Sequence, residues 1–111
     1  MEKHLGKIAE VNFGYCGYQG QMLGISFLIE TSGGSCAVDE CVWDPNLTEC
    51  SERSKWSESD RDKKLMEIMR YISDLLHKAK VKDIMDLKGM PIEAEFENMR
   101  IKSFRILEEV L

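Results

Sequence analysis

Four cysteines, Cys16, Cys36, Cys41 and Cys50, are the side chains best equipped for chemistry in this chain, and all lie in its first half. Zinc takes four thiolate or imidazole ligands in a tetrahedron. With metal–sulfur distances of about 2.3 Å, ligand sulfurs must approach one another within about 4 Å. The count fits a structural zinc site. The spacing carries less weight, because nineteen, four and eight residues intervene and no Cys-x-x-Cys knuckle is present. Unligated thiols buried as small hydrophobes are a second reading, and disulfides a third, disfavoured in a reducing cytoplasm.

A cysteine nucleophile needs a base within hydrogen-bond reach. Only His4 and His77 are available. His77 belongs near the C-terminal end of a helix, where a cation is favoured by the helix dipole, and His4 belongs near the chain start as a solvated side chain. Gly14, Gly17 and Gly20 recur at three-residue steps, but no Lys-Ser/Thr follows, so this is not a phosphate-binding P-loop. Glu93, Glu95 and Glu97 alternate with apolar residues and read as the wet face of a strand opposite Lys and Arg. No constellation here asks for an enzyme. For binding, Tyr15, Tyr18 and Gln19 lie in the glycine-rich stretch with Met22 close by, and Trp43 and Trp56 flank a polar connection. Tyr and Trp are enriched in binding hot spots, which makes Tyr15, Tyr18 and Trp43 candidate partner contacts. The plainer reading of Trp43 and Trp56 is that they cover one end of the core.

The elements that must position these residues follow from periodicity. Leu5 to Phe13 alternates and predicts a first strand, followed by a glycine loop over residues 14–20. Met22 to Glu30 and Cys36 to Trp43 predict two strands joined in a hairpin by Thr31-Ser32-Gly33-Gly34-Ser35. Asp44-Pro45-Asn46-Leu47-Thr48 is turn chemistry. The connection from Asp44 to Trp56 exceeds the median loop, which points to a function or a metal staple. Ser57 is positioned as a helix cap, and Leu65, Ile68, Met69, Ile72, Leu75, Leu76 and Ala79 form one apolar stripe of about six turns. A short helical turn within Val81–Leu87 precedes Pro91 to Glu97, which alternates as a strand and returns through Asn98-Met99 as Arg100 to Leu107. Ile101 is out of phase with Phe104 and Ile106, so a bulge near Ser103 is expected. A two-residue turn would set Glu97 opposite Arg100 and Glu95 opposite Lys102.

The order is β-β-β-α-β-β. The simplest solution is a single α+β domain over residues 1–111, with one long helix packed on one face of a five-stranded, mostly antiparallel sheet. In such a meander Cys16, Cys41 and Cys50 can converge at one end. Cys36 falls at the other, beside His4. If residues 36–41 are extended, Cys36 and Cys41 sit about 16 Å apart on opposite faces. Then either this segment is a compact loop, or Cys36 is not a ligand and Asp39, Asp44 or Glu49 completes the shell.

Composition bounds the rest. The chain has 111 residues, with 15 basic and 20 acidic side chains and a formal net charge of −5. Direct nucleic-acid binding is disfavoured by that deficit of cations, whereas a basic protein surface is a suitable partner. No apolar stretch is long enough to span a membrane, and no secretory leader is apparent, so the expected location is the cytoplasm.

Segments along nearly the whole chain carry a resemblance. These are Gly6-Lys7-Ile8, Phe13-Gly14-Tyr15-Cys16-Gly17-Tyr18-Gln19, Met22-Leu23-Gly24-Ile25-Ser26-Phe27, Trp56 ahead of the helix, Ala79-Lys80-Val81, Leu87-Lys88-Gly89-Met90-Pro91-Ile92-Glu93 and Lys102-Ser103-Phe104-Arg105-Ile106-Leu107. Together they resemble a family of small proteins encoded by bacteriophages and prophages. The resemblance implies an inhibitor of bacterial defence acting in the host cytoplasm. Zinc-containing anti-CRISPR proteins against the type II effector nuclease are similar in size and origin. The family pattern has glycine at the position of Cys16, so zinc would belong to this branch alone. The expectation is therefore a non-enzymatic protein that occludes a basic nucleic-acid channel or blocks a domain movement. The alternatives are a small-molecule or nucleotide sponge built on Tyr15 and Tyr18, and a zinc-stabilised nucleic-acid module.

Overall fold

The computed structural model describes residues 2–111. It contains five strands: β1 (Glu2–Cys16), β2 (Met22–Thr31), β3 (Gly34–Trp43), β4 (Pro91–Glu97) and β5 (Arg100–Ile106). One helix, α1 (Glu58–Ala79), lies between β3 and β4, and short 3₁₀ turns occur at Tyr18–Gly20, Ile84–Leu87 and Glu108–Val110. The strands form a single antiparallel sheet in the order β3-β2-β1-β4-β5. This is the α+β architecture, β-β-β-α-β-β, that the periodicity predicts.

β1 is the organising strand. At a rise of about 3.3 Å per residue its fifteen residues span about 50 Å, comparable to the longest dimension of the molecule, 47 Å. Its first part pairs with β4 from Glu2 to Lys7, and from Gly6 to Cys16 it pairs with β2. A register shift between Ile8 and Glu10 lets Ile8 and Val11 both face the core. Beyond Ile8 the strand runs out past β4. Among the described residues no strand pairs with that side of β1 from Glu10 to Cys16.

Buried Ile8, Val11, Ile25, Phe27, Ile29, Ile92, Ala94 and Ile106 line the inner face of the sheet. Leu75 and Ala79 of α1 and Leu87 of the following turn close over them. The sheet is strongly curled. Phe27 on β2 and Phe104 on β5 are three strands apart in sheet order, yet their rings meet edge to face at 5.2 Å. Gly24 permits part of this curl: a Cβ there would lie 2.6 Å from Cys41 Cα, so only glycine lets β3 fold so close.

Helix α1 begins as its sequence dictates. Ser57 Oγ accepts the Asp60 amide at 3.1 Å, and Asp60 Oδ2 accepts the Ser57 amide at 2.9 Å, a complete capping box. It ends with Lys80 in a left-handed conformation, its amide donating to the His77 and Leu76 carbonyls. The apolar stripe differs at one residue: Met69 is exposed, while Ile68 and Leu75 are buried.

Three local expectations are refined. Gly14, Tyr15 and Cys16 belong to β1, not to a loop, because Gly14 pairs with Gly24 and the ladder needs only backbone. Asn98 and Met99 both have positive φ, 54° and 65°, which makes the β4–β5 connection a type I′ turn. The bulge near Ser103 is present, and its extra residue is Lys102. Glu97 faces Arg100 as expected, but Glu95 faces Ser103, not Lys102.

Candidate functional site

The far end of the β1-β2-β3 ribbon collects most of the residues singled out by type. Three adjacent strands place Cys16, Met22 and Trp43 in one row, because Cys16 pairs with Met22 and Met22 with Trp43. The next row is Gly14, Gly24 and Cys41. Successive residues of a strand alternate faces, so these two rows, two residues apart, lie on the same face. With no side chain on Gly24, Cys41 reaches across to Met22, and its Sγ lies 3.9 Å from Met22 Sδ. The Cys16 and Cys41 thiols are close enough to influence each other's ionisation.

Gly17 terminates β1 with φ 71°, a conformation favouring glycine. A Cβ at this position would lie 2.7 Å from Met22 Sδ and 2.9 Å from Cys41 Sγ. The turn therefore packs directly on the sulfur atoms, and Tyr18 follows with its ring edge-on to Trp43 at 6.3 Å. Tyr15, Tyr18 and Trp43 are thus all brought to this end of the sheet. Phe13 and Tyr15 lie on the other face of β1, opposite Ile25 and Leu23, beyond the cover of the helix. Phe13, Tyr15 and Tyr18 are 50%, 60% and 66% exposed.

The electrostatics at the thiols have one dominant cause. Burial pushes the Cys16 thiol up to about 12, and the neighbouring Cys41 and Asp39 add to it. Burial also raises Cys41, with Asp39 and Glu40 acting the same way and the neighbouring Cys16 thiol and Lys64 opposing. Cys36 is raised by burial alone.

The four cysteines do not meet at one point. Residues 36–41 are extended within β3, so Cys36 turns to the opposite face from Cys41 and packs against the hydrophobic core. It lies at the far end of the sheet beside His4, as the meander requires. Cys50 donates to the Trp56 carbonyl at 3.2 Å. Among the described residues no group of three or more His, Cys, Asp or Glu side chains is arranged to hold a metal ion. A tetrahedral zinc shared by Cys16, Cys36, Cys41 and Cys50 does not fit this geometry.

The long connection is held by side chains instead. Buried Asp44 accepts the Asn46 and Leu47 amides at 2.9 and 3.1 Å through Oδ2. Arg61, 3% exposed, donates to the Thr48 carbonyl at 3.0 Å and to Glu58 Oε1 at 2.8 Å. Its guanidinium lies over the Trp56 ring at 4.4 Å. Arg61 was hidden among the helix charges, although stepping back four residues from Leu65 places it on the apolar stripe. A cleft of about 230 Å³ opens where this staple meets the ribbon, lined by Met22, Cys41, Trp43, Trp56, Arg61 and Lys64.

His77 is exposed in the last turn of α1. His4 sits edge-on to Phe96 at 5.2 Å and 3.3 Å from Glu2, and among the described residues no cysteine thiol is its hydrogen-bond partner. Arg105 pairs with Glu93 at 3.1 Å, which places that carboxylate in a surface ion pair. No helix is long and apolar enough to cross a membrane among the described residues. Comparison with protein-family models, with curated proteins and with solved structures returns no match.

Proposed function

We propose that the protein is a non-enzymatic, phage-type inhibitor that binds a host defence protein in the host cytoplasm, with a type II CRISPR effector nuclease as the target. The observation that carries this reading is the projecting end of the ribbon, where Phe13 and Tyr15 on one face and Tyr18 beside Trp43 at the tip are each at least half exposed. Large aromatics left in solvent on ordered strands are the residues from which binding hot spots are made. The unpaired side of β1 from Glu10 to Cys16 adds a row of backbone donors and acceptors that a partner strand can complete. The net charge of −5 supports a basic target surface and faster encounter with it. The resemblance to small phage and prophage proteins supplies the class of target, and the aromatic end supplies the surface.

Binding to an immobilised, guide-loaded type II nuclease tests the reading. The double variant Tyr15→Ala with Tyr18→Ala is expected to weaken binding at least about tenfold, as loss of two hot-spot aromatics does. Rising salt is expected to slow association while changing dissociation less. A wild-type chain with no measurable affinity for such nucleases contradicts the proposal.

A further inference from the structure

The three sulfur atoms at the ribbon end are not used by the aromatic surface, and their arrangement has a chemistry of its own. Cys16 and Met22 face each other across β1 and β2, and Cys41 arrives over Gly24 to bring its Sγ within 3.9 Å of Met22 Sδ. Three sulfurs around one metal at about 2.3 Å stand about 4 Å apart in a trigonal plane, the separation of Cys41 Sγ and Met22 Sδ, with Cys16 the direct cross-strand neighbour of Met22. Gly17 packs against two of them, and only glycine fits there, since a Cβ would lie 2.7 Å from Met22 Sδ and 2.9 Å from Cys41 Sγ.

We propose that Cys16, Met22 and Cys41 form a binding site for one soft monovalent cation, Cu(I). Two thiols and a thioether are the donor set that selects Cu(I) over the hard cations. Zinc prefers a fourth nitrogen, sulfur or oxygen donor, and no such closed cluster is assembled among the described residues. Binding replaces the two S–H bonds by two Cu–S bonds, releases two protons to solvent and leaves copper in its monovalent state, with Met22 donating a lone pair. Asp39 and Glu40 are the negative charges near the thiols that draw a cation, and Lys64, paired with Glu40 at 3.3 Å, opposes it. The cleft lined by Met22 and Cys41 gives the ion a route from solvent. A bound ion would tie the Gly17 turn to the end of β3 and so fix Tyr18 against Trp43.

The test is anaerobic titration of the reduced full-length chain with Cu(I) in competition with a chromophoric Cu(I) chelator, bicinchoninate. The expected result is one Cu(I) withdrawn per chain, with two protons released in weak buffer. Cys41→Ser is expected to abolish withdrawal, and Met22→Leu to weaken it at least about tenfold. Met22→Leu nearly conserves volume, so it preserves the fold even if a cysteine variant does not. Cys36→Ser and Cys50→Ser are expected to stay within about twofold of the parent, because neither thiol joins the sulfur cluster. Copper left entirely on the chelator overturns the proposal. So does an unchanged affinity in Met22→Leu, or a loss of binding in Cys36→Ser or Cys50→Ser.

Discussion

Single side chains at the ribbon end differ sharply in what they can do. Cys16 is held in its neutral form by burial and by Cys41, with its pKa near 12 against an ordinary 9.0. At pH 8 it then carries far less thiolate than an ordinary cysteine. Alkylation of Cys16 by iodoacetamide, followed by peptide mass mapping, is expected to lag a free thiol by at least about tenfold and to accelerate as pH rises toward its pKa. Equal labelling of Cys16 and free cysteine at pH 8 would contradict the assignment. Arg61 matters through structure. Its bonds to Thr48 and Glu58 and its place over Trp56 hold the connection after β3 against the start of α1. Arg61→Ala is expected to destabilise the fold by about 2–4 kcal/mol in urea unfolding, from a charge-assisted hydrogen bond and a desolvated cation–π contact. A loss below about 0.5 kcal/mol, the scale of an ordinary surface charge, would refute the staple. Residue type made the cysteines and aromatics visible in the sequence. Arg61 was not, because its charge suggests solvent while its position is set by the helix.

The elements themselves were largely legible. Strong alternation in β4, the apolar stripe of α1, the Gly33-Gly34 turn and the Ser57 cap each follow from local rules that the tertiary fold does not oppose. The bulge in β5 was legible for the same reason: Ile101, Phe104 and Ile106 can share one face only if a residue is skipped. The end of β1 was not legible, since three glycines signal a loop by propensity while pairing across β2 needs only backbone groups. The cap yields a pH test with a defined sign. Asp60 has its pKa lowered from 3.8, chiefly by the Ser57 amide and then by the Ser57 hydroxyl. Its unfolded state therefore binds the proton first, and the stability it adds is full above about pH 4 and lost as pH falls through the lower folded value. Acid unfolding is expected to be shallower in Asp60→Asn than in the parent, and Ser57→Ala to cost about 1 kcal/mol at neutral pH. An identical acid limb in Asp60→Asn would remove the capping box from the account of stability.

At the scale of the whole molecule, a curled sheet closed by one helix leaves half of its longest strand projecting. The core sits where β1, β2 and β4 overlap under α1, and the projecting part carries aromatic side chains that the core does not need. In the proposed reading this division separates stability from recognition, since Phe13, Tyr15 and Tyr18 lie outside the buried core. The overall fold was readable because the order of elements and the number of apolar faces admit few arrangements. The separation of the cysteines was readable only in part, since strand parity divides Cys36 from Cys41 but nothing local places Cys50 against the Trp56 carbonyl.

The most direct measurement is DNA cleavage by a purified, guide-loaded type II effector nuclease in the presence of increasing amounts of this protein. The account predicts that cleavage falls in proportion to added protein until it is suppressed near stoichiometry. It also predicts that Tyr15→Ala with Tyr18→Ala, folded to the same melting temperature, needs at least about tenfold more protein for the same effect. Undiminished cleavage at a large molar excess of the wild-type chain, across nucleases of this type, would contradict the account.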